Sequence, residues 1–353
     1  MTQVGQGLEH MDKMMRAVVY DRAGSLDGDG KLRDAIIERP QPRARDVIVK
    51  VNAVSVNPVD TKIRQRRNPG PETANVLGWD AVGEIVSLGD QASKFKVGQR
   101  VWYAGDISRS GTNAEYHGVD ERIVGLAPDS LSDGEAAAMP LTTLTAYEML
   151  FDRLRVKTAT QSQTKTLLII GAAGGVGSIA VQLGRALTDL IIVGTASRQE
   201  TASWVKGLGA HHIVNHHEPL KPQFEAANLS SPDFVFSTTH SHLYFDQLAE
   251  LMAPQSRFGL IDDPESFNIA PFKRKSISTH WEFMFTRSLF DTPDLAHQGE
   301  ILNEVSRLIE AGKIKSTAVT DLGVINAANL SKAHKFIESG AAKGKVTLSG
   351  FGG

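Results

Sequence analysis

Apolar and polar positions form their clearest pattern between Thr166 and Leu187. Residues 167–170 are a short apolar run, typical of a strand buried on both faces. Small residues follow, and then apolar side chains recur at helical spacing. Those side chains are Val176, Ile179, Ala180, Leu183 and Leu187. The pattern predicts a strand, a tight turn and an amphipathic helix that packs on a sheet.

The turn carries a variant of the dinucleotide-binding fingerprint, Ala172-x-Gly174-x-x-Gly177, with alanine at the first glycine position. Small residues there allow the tight turn, close approach of the backbone to a pyrophosphate, and contact between helix and strand. The phosphates would bind N–H groups at the helix N-terminus. A purely structural turn is the alternative, but the flanking strand and helix favour a nucleotide site. The predicted cofactor-binding residues here are Ala173, Gly174, Gly175, Val176 and Gly177.

Strand-like and helix-like segments alternate after the fingerprint. The strand-like segments are 190–195, 212–214, 233–237 and 257–261, and the helix-like ones are 199–208 and 244–252. Such alternation predicts a doubly wound parallel sheet. We therefore expect an α/β fold with a Rossmann domain over residues 141–290.

The region before residue 141 has a different texture. Short strand-like segments at 16–20, 46–51, 81–86, 97–102 and 113–117 are separated by Gly, Pro and Asp. This predicts an irregular β-barrel-type domain over 16–140, preceded by a polar extension at 1–15. A polar stretch at 157–165 separates this region from the Rossmann segments. Beyond those segments, the strand–helix alternation is not continued by the helical pattern at 301–311 or the strand pattern at 344–348. We expect residues 291–353 to return to the first domain.

Composition excludes several classes of protein. The 353 residues suffice for two domains, and the net charge of −2 and pI near 6.6 show no basic excess that would indicate a nucleic-acid or membrane partner. No apolar run approaches the roughly 20 residues that span a bilayer, and the start has no signal-peptide core. The chain has no cysteine, which excludes disulfides, thiolate ligands and a cysteine nucleophile. We expect a cytoplasmic protein.

Motifs along nearly the whole chain resemble those of the medium-chain dehydrogenase/reductase superfamily, in its quinone oxidoreductase branch and close to zinc-type alcohol dehydrogenase-like proteins. These motifs are residues 57–62 (NPVDTK), 78–84 (GWDAVGE), 140–147 (PLTTLTAY), 171–177 (GAAGGVG) and 344–346 (GKV). The resemblance implies a GroES-like catalytic domain, an inserted nucleotide-binding domain and an active site in the cleft between them. It also implies a homodimer joined by edges of the nucleotide-binding sheets.

The resemblance also bears on metal binding. In metal-dependent members a Cys stands where Asn57 falls, a His-Glu pair where Trp79 and Asp80 fall, and a Cys where Leu141 falls. A catalytic zinc needs three protein ligands and an open position, and only Asp80 suits that role. We expect no zinc, and a zinc-dependent alcohol dehydrogenase is the alternative.

A histidine cluster, His211-His-x-x-x-His216-His217, is the other metal-like pattern. Its imidazoles need not converge at that spacing, and solvated or hydrogen-bonded rings at a strand end are the favoured interpretation. By the resemblance, His216 falls where relatives often carry a Tyr beside the adenosine end of the cofactor.

The cofactor preference follows from the segment about 20 residues beyond the glycines. NAD sites place a carboxylate there to bind the ribose 2′-hydroxyl. This chain has Ser197 and Arg198 instead, with no acid until Glu200. A hydroxyl and a guanidinium suit a 2′-phosphate, so the sequence predicts NADPH, with a solvated loop arginine as the alternative.

Without a metal, the substrate must accept hydride easily, as quinones and α,β-unsaturated carbonyls do. By the resemblance, Lys62 is a candidate donor to the nicotinamide ribose or the substrate oxygen, Asn57 a candidate orienting amide, and Thr145 would face the nicotinamide. The alternatives are a surface lysine and a turn-forming Asn-Pro. The aromatic segment 276–285 fits a substrate pocket, a dimer interface or core. A third function, a non-catalytic NADPH-binding protein, stays open.

Overall fold

The computed structural model describes residues 13–70, 75–156 and 165–352. The strands are β1 (Met14–Tyr20), β2 (Leu32–Glu38), β3 (Asp46–Val56), β4 (Ala81–Leu88), β5 (Arg100–Tyr103), β6 (Tyr116–Asp120), β7 (Gly125–Leu126), β8 (Thr166–Ile170), β9 (Ile191–Thr195), β10 (His212–Val214), β11 (Phe234–Ser237), β12 (Arg257–Leu260), β13 (Ser278–Trp281), β14 (Ala318–Asp321) and β15 (Lys345–Ser349). Residues 1–12 of the predicted extension and 157–164 of the polar stretch lie outside the described residues.

The α-helices are α1 (Pro58–Arg66), α2 (Asp133–Ala137), α3 (Pro140–Tyr147), α4 (Gly175–Leu187), α5 (Gln199–Gly207), α6 (Leu220–Ala226), α7 (Phe245–Leu251), α8 (Thr286–Leu289), α9 (His297–Glu310) and α10 (Ala327–Glu338). Shorter 3₁₀ helices occupy Glu121–Ile123, Ser241–Leu243 and Ala270–Lys275, and a π-helix occupies Glu148–Arg153. The chain divides into two compact units.

The first unit comprises Met1–Leu141, Phe285–Glu310 and Ser316–Gly353. Its main sheet has the order β14-β15-β3-β4-β5-β7, and β6 also pairs with β3. The long strand β3 lies at the centre, antiparallel to β4, β6 and β15. Strands β1 and β2 form a separate two-stranded sheet, whereas β15, the last described strand, joins the main sheet through β3. The core of this unit gathers the apolar side chains of β3, β4 and α10.

The second unit comprises Thr142–Met284 and Ala311–Lys315 and contains a six-stranded parallel sheet. The strand order is β10-β9-β8-β11-β12-β13, and each described pair is parallel. The doubly wound sheet predicted from the alternating pattern is thereby confirmed. Strand order reverses between β8 and β11, and open α/β sheets bind ligands at such a point, beyond the carboxyl ends of the strands.

Two predicted strands of the first unit start too early. The strand predicted at 97–102 begins at Arg100, because Gly98 has a φ of +89° and forms a turn. The strand predicted at 113–117 was largely wrong, since regular pairing begins only at Tyr116. Before it, Ala114 makes a single isolated bridge to Ala17.

None of the described helices is both long and apolar enough to cross a membrane.

Candidate functional site

The glycine turn joins β8 to α4. Gly171 has a φ of +75°, in the left-handed region that favours glycine. A Cβ at this position would lie 2.3 Å from Oγ1 of Thr238. That hydroxyl donates to the carbonyl oxygen of Ile170 at 2.9 Å. Both conformation and contact with the loop after β11 therefore require glycine at position 171.

The two fingerprint glycines face different surroundings. A Cβ on Gly177 would lie 2.3 Å from the carbonyl oxygen of Gly171, so α4 packs directly on the turn. A Cβ on Gly174 would meet only that same oxygen, at 3.5 Å, among the described residues. The backbone at Gly174 is thus open to a ligand, and the N–H groups of the first turn of α4 lie beside it. This cradle fits a pyrophosphate.

The ends of β9 and β10 bring two predicted cofactor segments together. Thr195 lies opposite Val214 in the parallel register, and the Ala196 N–H donates to the Val214 carbonyl at 3.0 Å. Ser197 and Arg198 follow β9, the first half-buried and the second exposed, and Arg198 is the N-cap residue of α5. No acid lies between Thr195 and Arg198. The segment therefore presents a hydroxyl and a guanidinium where NAD sites present a carboxylate.

His216 lies two residues beyond β10, the strand that pairs with β9. Its Nδ1 is buried and makes no hydrogen bond to a described residue. Burial lowers the pKa of the His216 imidazole, and positive charge on His217 and His240 lowers it further. The rings of His216 and His217 have centroids 4.6 Å apart. The buried Nδ1 of His216 is thus available to a ligand.

In the same histidine cluster, the imidazole of His211 is hydrogen-bonded within the protein. Nδ1 of His211 accepts from the Ile192 N–H at 2.9 Å, and its Nε2 lies 2.9 Å from the Arg185 guanidinium. Within the described ranges, no group of three His, Cys, Asp or Glu side chains is arranged to hold a metal ion. For His211, the geometry favours the hydrogen-bonded interpretation.

In the first unit, Asn57 lies in a buried polar cluster with Asp80 and Lys345. The Asn57 side-chain amide donates to Oδ2 of Asp80 at 2.8 Å, and its Oδ1 accepts from Nζ of Lys345 at 2.5 Å. Lys345 also donates to Oδ2 of Asp80 at 3.1 Å and to the Val56 carbonyl at 3.0 Å. Asp80 is fully buried and Lys345 is 3% exposed. Both functional ends of the Asn57 amide are therefore used inside the protein.

Asp80 accepts two more hydrogen bonds, from the Ser55 hydroxyl at 2.8 Å and from the Leu141 N–H at 2.7 Å. Its carboxylate thus has four donors, one of them an ammonium group. Four donors and a paired cation stabilise the ionised form of a buried carboxylate. Asp80 and Lys345 form a buried ion pair.

Asp60 is the second carboxylate of this cluster. Its Oδ2 accepts from the Asn57 N–H at 2.5 Å and caps α1, while its Oδ1 is buried without a hydrogen bond to a described residue. Burial is the main cause that raises the pKa of Asp60 to about 7, and the negative charge of Asp80 adds to it. One lysine thus faces two carboxylates, and burial brings the pKa of Asp60 near 7.

The other two predicted residues lie on helices. Lys62 is half-buried on α1, two residues beyond Asp60. Thr145 is 6% exposed on α3. Their roles as ribose or oxyanion donor and as nicotinamide contact stay predictions, as does the orienting role of Asn57.

Comparison with known proteins places these features in a family. The model of the alcohol dehydrogenase GroES-like domain matches residues 43–137, and that of the zinc-binding dehydrogenase matches 208–348. A zinc-type alcohol dehydrogenase-like protein of Staphylococcus aureus is 36% identical over 95% of this chain and all of its own length. The chain belongs to the medium-chain dehydrogenase/reductase superfamily. The predicted family and the GroES-like plus Rossmann fold are confirmed, and the protein is an oxidoreductase of this superfamily.

Solved structures of the superfamily agree with this fold. A Rhizobium etli protein, provisionally assigned as a zinc-dependent alcohol dehydrogenase, is 50% identical with a TM-score of 0.93, covering 96% of this chain and 99% of that one. The Escherichia coli quinone oxidoreductase, solved in complex with NADPH, has a TM-score of 0.77 at 23% identity. The match covers 95% of this chain and 99% of the quinone oxidoreductase chain. The second likeness concerns the fold alone.

One matching family model is that of zinc-binding dehydrogenases. At the positions where the resemblance places metal ligands, this chain has other side chains. Asn57 and Leu141 offer an amide and a backbone N–H, both directed at Asp80. Trp79 is buried, and its indole N–H donates to the Asp106 carbonyl at 3.2 Å. The remaining carboxylate, Asp80, is paired with Lys345. This donor set does not fit a catalytic zinc, which needs three N, O or S ligands.

Sequence reasoning missed Lys345 and Asp60 as members of the site. Lys345 was noted only as part of a family motif. The available signal was a lysine at the start of a largely apolar strand, residues 345–348. A lysine in such a strand needs a buried partner for its charge.

Proposed function

We propose that this protein is an NADPH-dependent, zinc-independent reductase that transfers hydride to quinones or α,β-unsaturated carbonyls. Two relatives support the substrate class. The 2-methylene-furan-3-one reductase of tomato is 28% identical over 95% of this chain and 79% of its own length. The chloroplastic quinone-oxidoreductase homolog of spinach is 31% identical over 62% of this chain and 65% of its own length. The name of the tomato relative describes an alkene conjugated to a ketone.

The observation that carries the proposal is the ion pair of Asp80 with Lys345. It places an ammonium group on the one carboxylate that remains among the ligand positions. Without a Lewis acid, hydride transfer is easiest to substrates whose own conjugation spreads the negative charge that hydride addition creates. Quinones and enones have this property, whereas simple ketones lack it.

Residues of the second unit would hold the cofactor. The open backbone at Gly174 and the first turn of α4 would bind the pyrophosphate, and Ser197 with Arg198 would bind the 2′-phosphate. When bound, the reduced nicotinamide supplies the hydride. In the first unit, Lys62 would donate a hydrogen bond to the cofactor ribose or to the oxygen on which charge develops. The cluster around Asp80 fixes the start of α1 and thereby positions Lys62.

A substrate panel combined with metal analysis tests the proposal. The purified protein is assayed with NADPH or NADH against a para-quinone, a conjugated enone and a saturated ketone, with zinc content measured on the same sample. We expect turnover of the first two acceptors, preference for NADPH and insensitivity to a chelator. Stoichiometric zinc together with alcohol oxidation would overturn the proposal in favour of a zinc alcohol dehydrogenase.

The cofactor preference has its own test in Arg198→Ala. Loss of a charge-assisted contact to the 2′-phosphate should raise the Kd for NADPH by about tenfold or more and leave that for NADH nearly unchanged. Lys206→Ala, which removes an exposed cation from the last turn of the same helix, is the matched control. An unchanged preference for NADPH would contradict the assignment.

The proposal includes a homodimer. β13 is the last strand of its sheet, and within the described chain its outer edge has no partner strand. Trp281, on that strand, is 50% exposed. An edge strand with an exposed aromatic side chain promotes pairing with another chain unless it is covered.

A further inference from the structure

The side chain of Arg64, in the last turn of α1, is fully buried. Its Nη1 donates to the Gly24 carbonyl at 2.6 Å, and its Nε donates to Nδ1 of His334 at 3.2 Å. Its Nη2 forms an ion pair with Glu338. A buried charge is costly unless it is paired and hydrogen-bonded, and here each nitrogen of the guanidinium has an acceptor. Arg64 therefore joins α1 to α10 and to the loop between β1 and β2.

The imidazole of His334 is one of these acceptors and is fully buried. Because Nδ1 accepts a hydrogen bond from Arg64, the proton of the neutral ring lies on Nε2. Burial, together with the positive charge of Arg64, lowers the pKa of His334 to about 3. The ring is therefore neutral at physiological pH and remains an acceptor for the guanidinium.

The loop between β1 and β2 closes over the guanidinium. The Gly24 N–H donates to the Arg64 carbonyl at 3.0 Å, so Gly24 contacts both the backbone and the side chain of Arg64. A Cβ on Gly30 would lie 2.9 Å from Nη1 of Arg64, which leaves no room for a side chain there. On the other side, the Gln65 amide donates to the same carboxylate oxygen of Glu338 at 2.8 Å. Two consecutive residues of α1 thus hold α10.

Arg64 lies on the same face of α1 as Asp60, because the two residues are four positions apart, and both are buried. Asp60 caps the start of the helix, so this face is held at both ends. At about 100° per residue, Lys62 lies about 200° around the helix axis from each of them, on the opposite face. The contacts of Asp60 and Arg64 therefore fix the rotation of α1, and with it the direction in which Lys62 leaves the helix.

We propose that Arg64 is a positioning residue for hydride transfer: it fixes the rotation of α1 so that Lys62 donates to the cofactor ribose or to the substrate oxygen. The inference rests on the proposed function and adds a residue that acts through the proposed donor. A displacement of about 1 Å at a reacting group costs on the order of a hundredfold in rate. A lysine at position 64 would keep the charge, but its single ammonium group cannot span the acceptors that a planar guanidinium spans.

Arg64→Lys is compared with Arg66→Met, which removes an exposed arginine from the same turn of α1 and serves as the control. The kcat and the KM for a para-quinone are measured with NADPH, on samples whose fold is checked by circular dichroism. We expect Arg64→Lys to lower kcat about tenfold and to change KM less than about threefold. The control should change kcat by less than about twofold. Glu338→Gln weakens the same anchor at a partly exposed carboxylate, so it should also lower kcat, and it replaces Arg64→Lys if that variant does not fold.

Lys62→Met and the double variant Arg64→Lys/Lys62→Met separate positioning from a general loosening of the fold. If Arg64 acts through Lys62, the double variant should match the kcat of Lys62→Met within about twofold. Losses that multiply, an unchanged kcat in Arg64→Lys, or an equal loss in Arg66→Met would overturn the inference. If Lys62→Met is as active as an active wild type, the inference fails while the proposed function stands. If the wild type reduces neither quinone nor enone with NADPH, the proposed function itself fails, and this inference with it.

Discussion

At the scale of single residues, the fully buried Asp80 depends on the ammonium group of Lys345. Lys345→Met removes that group and leaves a buried carboxylate without its counter-ion. Breaking a buried pair on one side typically costs about 3–5 kcal/mol. We expect a loss of that order in the free energy of unfolding, measured with urea.

The double variant Asp80→Asn/Lys345→Met separates charge from packing. It removes both charges, so it should be more stable than Lys345→Met alone. A single variant within about 1 kcal/mol of wild type would contradict the ion pair described for Asp80 and Lys345.

Asp60 gives the stability of the protein a specific pH dependence. Its pKa is about 7 in the folded protein against 3.8 in the unfolded chain, so the folded state holds an extra proton between these values. Folding stability from this group is therefore fully present at low pH and falls as pH rises from about 4 to about 7. The fall is on the order of 4 kcal/mol at most.

Asp60→Asn should abolish this slope, because the amide does not titrate in this range. The measurement is the urea midpoint of both proteins at several pH values between 4 and 8. Asp90→Asn, at an exposed position, should keep the wild-type slope. Parallel curves for wild type and Asp60→Asn would show that Asp60 does not hold the proton.

At the scale of elements, the two fingerprint glycines at the start of α4 have different roles: Gly177 allows helix packing on the turn, and Gly174 leaves room for a ligand. Gly177→Ala would place a Cβ 2.3 Å from a carbonyl oxygen, so the helix must shift, at a cost of about 1–3 kcal/mol. Gly174→Ala meets nothing closer than 3.5 Å and has an ordinary φ of −72°. It should fold normally and yet bind dinucleotide at least about tenfold more weakly, because its methyl group occupies the path of the pyrophosphate. Thermal unfolding and cofactor titration of both variants provide the comparison, and normal binding by Gly174→Ala would contradict it.

Elements with strong local signals were predictable from the sequence. β8 and α4 were predicted within one or two residues, because an apolar run and a helical period determine them locally. α1 was not predicted, although Asn57 and Pro58 form a standard helix start. That signal was interpreted through family resemblance as a site motif, which hid its structural role.

The polar cluster of the first unit could not be predicted in the same way. Asn57, Asp80 and Lys345 are brought together by the pairing of β15 with β3 and of β3 with β4. The contacting residues are separated in sequence by up to 288 positions. No local pattern encodes such a contact, since strand pairing is decided by the packing of the whole sheet. The missing zinc ligands were visible in the sequence, whereas the lysine that pairs with Asp80 required the fold.

At the scale of the whole molecule, the exposed edge of β13 determines the expected assembly. In the described chain this edge has no partner strand, and Trp281 is half exposed on it. A carboxylate at position 281 would have to lose its hydration if a second copy covered the edge, which is costly for an unpaired charge. We therefore expect wild type to sediment at twice the chain mass of 38.2 kDa and Trp281→Glu to sediment as a monomer. Ile36→Glu, which changes a 62% exposed apolar side chain on β2, should remain dimeric. Dimers of Trp281→Glu at micromolar concentration would show that the copies meet elsewhere, and a monomeric wild type would show that the edge of β13 stays uncovered.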